Sequence, residues 1–161
     1  MKIKITPTVY VAVGLPASGK SFWWETAISK KLLPVKSCRR LNADIIRNDI
    51  TGDLNDHSQD DLVKKILFSN LQNFLLHKIP IIYVDDLNIE RSVRHKIIKL
   101  CQKYNYKTTA LVFETDSKQI QSRLNKSSKK IPLELLERYI KILQENPTDY
   151  NEGWDDIIVI K

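Results

Sequence analysis

The stretch TVYVAVGLPASGKS, residues 8–21, constrains this chain more than any other feature. Its first six residues are apolar or β-branched, with Pro7 before them and Gly14 after, and this pattern predicts a buried strand. Gly14, Gly19, Lys20 and Ser21 then keep the spacing G-x-x-x-x-G-K-S. Glycines at those two positions let the backbone curl until successive N–H groups point inward, the arrangement that cradles phosphate oxygens. Residues 21–32 are helix formers with no breaker before Pro34, so the positive end of a helix dipole adds to the loop. In such a loop Lys20 reaches the β- and γ-phosphates of a nucleotide, and the Ser21 hydroxyl meets Mg²⁺. An ordinary glycine turn can share the spacing. The strand before it and the helix after it separate the two readings.

The rest of the chain alternates in the same way. CRRLN (38–42) predicts a short strand, and ADIIRNDI (43–50) a helix ending at Thr51 and Gly52. Residues 58–78 predict a long helix, capped by Ser58 or Asp60, with Leu67, Leu71, Phe74 and Leu75 on one stripe. IIYVDD (81–86) is a second buried strand, and it ends in two carboxylates. A helix follows over 90–105, striped by Val93, Ile97, Leu100, Cys101 and Tyr104, and then a strand over 107–114. Residues 117–125 predict a short helix, and Pro132 opens another whose stripe is Leu136, Tyr139, Ile140 and Leu143. Residues 146–154 read as loop and 155–161 as the last strand. Strands alternating with helices imply right-handed crossovers and a parallel sheet covered on both faces. Ligands of such sheets sit at the carboxyl ends of the strands, where Gly14, Asp85 and Asp86 all fall.

A length of 161 residues suits one domain spanning 1–161. No apolar run reaches the length of a membrane span, and the opening MKIKITP lacks the apolar core of a signal peptide. The expected location is the cytoplasm, with no membrane partner. Cys38 and Cys101 have no close-spaced partner and make neither a disulfide framework nor a zinc site. His57, His77 and His95 are scattered without ligand spacing. The balance of 26 Lys+Arg against 19 Asp+Glu leaves a net charge of +7, which favours polyanionic partners. Residues 118–130 concentrate that charge, with five basic residues and no acid. A merely solvated surface is the plainer reading of the same run.

Two segments supply acid chemistry. At the end of IIYVDD, one aspartate is placed to hold Mg²⁺ through water, while the other caps the next helix or faces an acceptor. Adjacent side chains at a strand end point opposite ways, so Asp85 and Asp86 divide those roles. In LNADIIR, Asp44 and Arg47 lie three apart at a helix start and share a face. A carboxylate that takes a hydroxyl proton, beside a guanidinium that holds a phosphate, suits a kinase acceptor site. The same pair also serves commonly as helix capping and surface charge. Trp23 and Trp24 follow the loop and belong to the core more readily than to a stacked base. Arg39 and Arg40 either face solvent from an edge strand or line an acceptor entrance.

These motifs, in this order and over nearly all 161 residues, resemble the kinase domain of 5′-hydroxyl polynucleotide kinases within the wider set of P-loop kinases. GLPASGKS resembles the family's G-x-P-x-S-G-K-S, Pro16 and Ser18 included, and LNADIIR is similar to its N-x-D-x-x-R. VDDLN resembles D-x-T-N, with Leu87 in place of the threonine. SRLNKSSKKIP resembles the basic lid, and NEGWDDIIVI the closing strand of many small kinases. The resemblance implies an α/β three-layer sandwich: a five-stranded parallel sheet in the order 2-3-1-4-5, helices on both faces, and a small helical lid near residues 117–132. It implies ATP and Mg²⁺ at Gly14, Pro16, Ser18, Gly19, Lys20 and Ser21, with Ser21 and Asp85 toward the metal. Asp44 would be the general base, and Arg47, Asp85, Asp86 and Asn88 would meet the acceptor. Arg123, with Lys126 as the nearest second cation, would bring the lid's charge onto the donor phosphates beside Lys20. The implied partner is a single-stranded 5′ end of DNA or RNA, admitted through a tunnel. Two other readings use the same loop: a kinase for a small acceptor (nucleoside, nucleotide, sugar or antibiotic), and a regulatory module that holds ATP and hydrolyses it slowly.

Overall fold

The structure is a computed structural model and describes residues 6–30 and 35–161. β1 spans Thr8–Val13, the apolar run between Pro7 and Gly14. α1 (Lys20–Ser29) starts directly from the glycine loop. The expected stop of this helix at Pro34, like the opening residues 1–5, lies outside the described residues. β2 (Cys38–Asn42) passes straight into α2 (Ala43–Thr51), because Asn42 caps the helix by accepting the Ile45 N–H at 2.9 Å. Gly52, at φ +76°, closes α2 in the left-handed conformation that glycine adopts without strain. Then come α3 (Asp60–Leu76), β3 (Ile81–Asp85), α4 (Arg91–Lys103), β4 (Lys107–Phe113), α5 (Ser117–Lys126), α6 (Leu133–Glu145) and β5 (Asp156–Ile160).

The five strands form one parallel sheet in the order β2-β3-β1-β4-β5, as expected. Thr8 pairs with Ile81 on one side and with Lys107 on the other, so β1 lies at the centre and its end delivers Gly14 to the middle of the carboxyl edge. One face of the sheet is covered by α3 and α4. Leu67, Leu71 and Leu75 from α3, with Ile97 and Cys101 from α4, pack there on Val9, Val11 and Val84. The other face is covered by α1, where Trp23 and Trp24 both stack on Tyr83, at centroid distances of 5.3 and 5.4 Å. Leu136, Tyr139, Ile140 and Leu143 of α6 pack on Leu15, Ile120 and Leu124, which seats α5 and α6 beside the glycine loop.

Two local expectations differ from the structure. Neither Ser58 nor Asp60 caps α3; the cap position is Gln59 and carries no side-chain bond. The Asp60 carboxylate is drawn away to Arg47 and His57 instead. The loop before β5 contains a short 3₁₀ turn, Tyr150–Glu152, closed by a reciprocal capping box between Asp149 and Glu152. Among the described residues no helix is long and apolar enough to cross a membrane.

Candidate active site

The glycine loop bends where its sequence allows. A side chain at Gly14 would meet Ser18 Oγ at 2.9 Å and Phe113 Cβ at 3.0 Å, so only glycine fits there. Gly19 sits at φ +107° and Ala17 at φ +58°, which turns the loop back toward its own start. Lys20 is 8% exposed, and its ammonium donates to the carbonyls of Gly14 (2.9 Å) and Leu15 (2.5 Å) and to Ser18 Oγ (3.3 Å). Burial lowers its pKa from 10.5 to about 8, against the opposing pull of the Asp85 charge. The loop is anchored from outside as well. The Gly14 N–H donates to Leu87 O at 3.0 Å, the Thr115 hydroxyl to Ser18 O at 3.0 Å, and the Tyr83 hydroxyl to Lys20 O at 2.8 Å.

Asp85, at the end of β3, is 4% exposed and collects donors on a single oxygen. Its Oδ2 accepts from the Ser21 hydroxyl (3.0 Å), the Asn42 amide (2.9 Å), and both Nε (2.9 Å) and Nη2 (2.5 Å) of Arg40. Asp86 points elsewhere: its Oδ1 accepts the Leu87 N–H at 2.8 Å, and burial raises its carboxyl above the usual range despite that bond. The two aspartates therefore face different surroundings, as strand alternation requires.

Asp44 stands on the first turn of α2 with both oxygens engaged. Oδ1 accepts from Arg47 Nη1 (2.5 Å) and Oδ2 from Lys129 Nζ (2.7 Å). Burial works against ionisation, but the charge and hydrogen bond of Lys129, then those of Arg47, hold the Asp44 carboxyl below the usual carboxylate range. Arg47 is 7% exposed, and its Nε donates to Asp60 Oδ1 at 2.9 Å, while Asp60 Oδ2 lies 2.9 Å from His57 Nδ1.

A cleft of about 1600 Å³ is lined by Lys20, Asp44, Asp85, Asp86, Arg123 and Lys129, whereas Arg47 and Arg40 are not among its lining residues. Gly14 and Ser18 are buried in the loop, and Pro16, Gly19 and Ser21 line the same cleft. Arg123 reaches over from α5 and donates to Ala17 O at 3.1 Å, which lays its guanidinium against the loop. Lys126 is exposed at the end of α5 and does not line the cleft; three residues further on, Lys129 does. Asn88 is not brought to the cleft either. It is 5% exposed, sits at φ +46°, and donates its amide to Ala12 O at 2.8 Å, pinning the turn after β3 to β1.

Sequence reasoning missed the parts played by Arg40, Asn42, Asp60 and Lys129. Strand alternation was the available signal for Arg40 and Asn42, which lie two apart on β2 and so on one face, next to β3. Lys129 lies inside the acid-free run of residues 118–130. Nothing local marks Asp60, whose partner Arg47 belongs to a different helix.

The residues fit a nucleotide and a divalent cation. The loop leaves no room for a Cβ at Gly14, and its lysine ammonium sits among backbone carbonyls and a hydroxyl at the cleft wall. Ser21 Oγ adjoins the Asp85 carboxylate, a hydroxyl–carboxylate pair suited to a hard cation. No group of three or more His, Cys, Asp or Glu side chains able to hold a metal occurs among the described residues, so a cation here would draw further ligands from phosphate and water.

A 2-3-1-4-5 parallel sheet with this loop at the end of its central strand defines a kinase-like P-loop domain. The sequence pattern of the AAA_33 family, an AAA domain, matches residues 9–145, and the chain belongs to that family. Among solved structures, it is similar to Kti12 of Chaetomium thermophilum in complex with ADP-AlF3, with a TM-score of 0.75, 11% identity, and coverage of 94% of this chain and 88% of that one. It is also similar to a chain of the Pnkp1/Rnl/Hen1 RNA repair complex (TM-score 0.70, 19% identity, 90% of this chain and 46% of that one). A third likeness is to the PezAT toxin–antitoxin system of Streptococcus pneumoniae (TM-score 0.66, 12% identity, 97% and 67%). At these identities the likeness is one of fold. The chain spans 46% and 43% of the lengths of the two RNA-repair-complex chains it matches. No curated protein matches the sequence.

Proposed function

We propose that the chain is an ATP-dependent kinase that transfers the γ-phosphoryl group to the 5′-hydroxyl of single-stranded DNA or RNA. It would act in the cytoplasm as one domain over 1–161, with residues 117–132 as the lid. The observation that carries this reading is that Asp44 and the phosphate loop open onto one cleft, with Arg123 and Lys129 lining it beside them. In the transfer, the acceptor oxygen bonds to the γ-phosphorus while the bond to the β–γ bridging oxygen breaks, and ADP leaves. The hydroxyl proton passes to Asp44, which its cationic partners keep ionised. A carboxylate has about four lone-pair sites, so two bonds to Arg47 and Lys129 leave Asp44 able to accept the substrate hydroxyl.

Lys20 exchanges its carbonyl partners for donor phosphates, and Arg123 and Lys129 offset charge on the transferring group. Lys129 takes the place for which Lys126 was expected. Ser21 and Asp85 would hold Mg²⁺, which when bound would neutralise charge on the donor phosphates. The net charge of +7 and the likeness to a chain of an RNA repair complex support the polynucleotide as acceptor.

One observation favours the small-acceptor reading instead. Arg47 spends Nη1 on Asp44 and Nε on Asp60, so less of its fork is open to an acceptor phosphate. Transfer from labelled ATP to a 5′-hydroxyl oligonucleotide, run beside a nucleoside panel, tests the two directly. An Arg47→Ala variant crossed with acceptors bearing or lacking a 3′-phosphate refines the answer. A penalty that shrinks when the phosphate is absent supports the polynucleotide; strictly additive effects support the small acceptor.

A further inference from the structure

Arg40 stands on the edge strand β2, and its guanidinium turns back over the sheet to Asp85. Two of its N–H groups converge on the same carboxylate oxygen that accepts from Ser21 and Asn42. The Asp85 carboxylate is 4% exposed, and Arg40 is its ion-pair partner. The Ser21–Asp85 pair that would receive a divalent cation thus already has the Arg40 guanidinium bonded to it, and the Lys20 ammonium acts on the same carboxylate through space.

We infer that Arg40 is a built-in counter-ion for Asp85 that keeps a free divalent cation out, so that the metal enters only as its nucleotide complex. This rests on reading residues 14–21 as the nucleotide site. A divalent cation beside Asp85 is repelled by the guanidinium, whose two N–H groups already occupy the oxygen that accepts from Ser21. The polyphosphate of a nucleotide brings enough negative charge to offset both cations at once. Arg40 would therefore link metal binding to nucleotide binding without touching the transferring group.

The test measures Mn²⁺ binding to the full, nucleotide-free chain from loss of the free-ion electron paramagnetic resonance signal. Arg40→Gln removes the charge and keeps an amide donor toward Asp85, and it should bind Mn²⁺ on the order of tenfold more tightly than the unmodified chain. Arg40→Lys keeps the charge and should stay near the unmodified chain. Adding Asp85→Asn to Arg40→Gln should abolish the gain. Equal Mn²⁺ affinity in the unmodified chain and a folded Arg40→Gln overturns the inference, as does a gain that survives Asp85→Asn.

Should Arg40→Gln not fold, the Arg40 Nε–H nuclear magnetic resonance signal of the unmodified chain decides. It should shift with Mg²⁺ plus ADP and not with Mg²⁺ alone; no shift, or the same shift with Mg²⁺ alone, overturns the inference. ADP binding, followed by tryptophan fluorescence, separates the two levels. Failure of the unmodified chain to bind ADP overturns the nucleotide reading and this inference with it. ADP binding with unchanged Mn²⁺ affinity overturns the role of Arg40 alone.

Discussion

Arg94 on α4 and Arg40 on β2 each set a guanidinium fork on a buried carboxylate, and the two pairs are built to different ends. The Arg94 side chain is fully buried and bonds both oxygens of Glu152, through Nε at 2.7 Å and Nη2 at 2.9 Å. Its other contacts are backbone carbonyls, those of Asn88, Ile89 and Asn146 among them. Neither Arg94 nor Glu152 lines the cleft. Arg94 ties the turn after β3 to the loop before β5, and its hydrogen-bonding capacity is used within the fold. The Arg40 side chain is 18% exposed, directs two of its N–H donors onto one oxygen of Asp85, and holds a carboxylate that does line the cleft. Asp44 repeats the open pattern: it lines the cleft together with its partner Lys129, while its other partner, Arg47, lies buried outside the cleft lining. A buried ion pair closed by backbone partners stabilises loops, whereas one facing a cleft leaves capacity for a ligand.

Removing one member of each kind of pair separates them. Arg94→Ala leaves Glu152 charged and buried, and it should cost about 3–5 kcal/mol in urea unfolding. A loss below about 1 kcal/mol would mean that the pair is not the closed unit described. Asp44→Asn should do the reverse: turnover falls by roughly 10²–10⁴ in labelled-ATP transfer, while the unfolding midpoint hardly moves. Lys129→Ala removes a pair whose members are 25% and 39% exposed, so it should alter stability by no more than about 1 kcal/mol. Its effect on turnover should be roughly 10–10²-fold, smaller than that of Asp44→Asn because Arg123 remains in the cleft.

The smallest effect is on pH dependence. Burial places the Lys20 pKa at about 8 in the free protein, and phosphates favour its charged form. ADP therefore binds the ammonium form better. Its affinity should be level below about pH 8 and decline above it, by at most about tenfold per pH unit. Equilibrium titration of ADP from pH 7 to 10 checks this, and an affinity level throughout would show that Lys20 does not titrate with binding.

Much of the layout was legible along the chain because it depends on local pattern. The apolar run 8–13 marked β1 with the bounds observed, the short segment 38–42, expected as a strand, is β2, and the stripes on α3, α4 and α6 lie on the faces that pack. The glycine spacing located the loop, since Gly14 has no room for a side chain and Gly19 adopts a positive φ. The sheet order came from resemblance to a known family, because alternation of strands and helices allows several orders.

What the sequence by itself determined is the set of elements, the phosphate-type loop at the end of the first strand, and the placing of Asp44, Asp85 and Asp86 near strand ends. Tertiary structure alone decided which partners those groups have. Asp85 meets Ser21 across 64 positions and Arg40 across 45, and Lys129 reaches Asp44 across 85. It also turned Asn88 inward to Ala12 and left Lys126 in solvent while bringing Lys129 to the cleft. The physical reason is range: periodicity and turn chemistry act over a few neighbouring residues, whereas a buried charge takes whatever countercharge the packed sheet and its helices bring within hydrogen-bond distance.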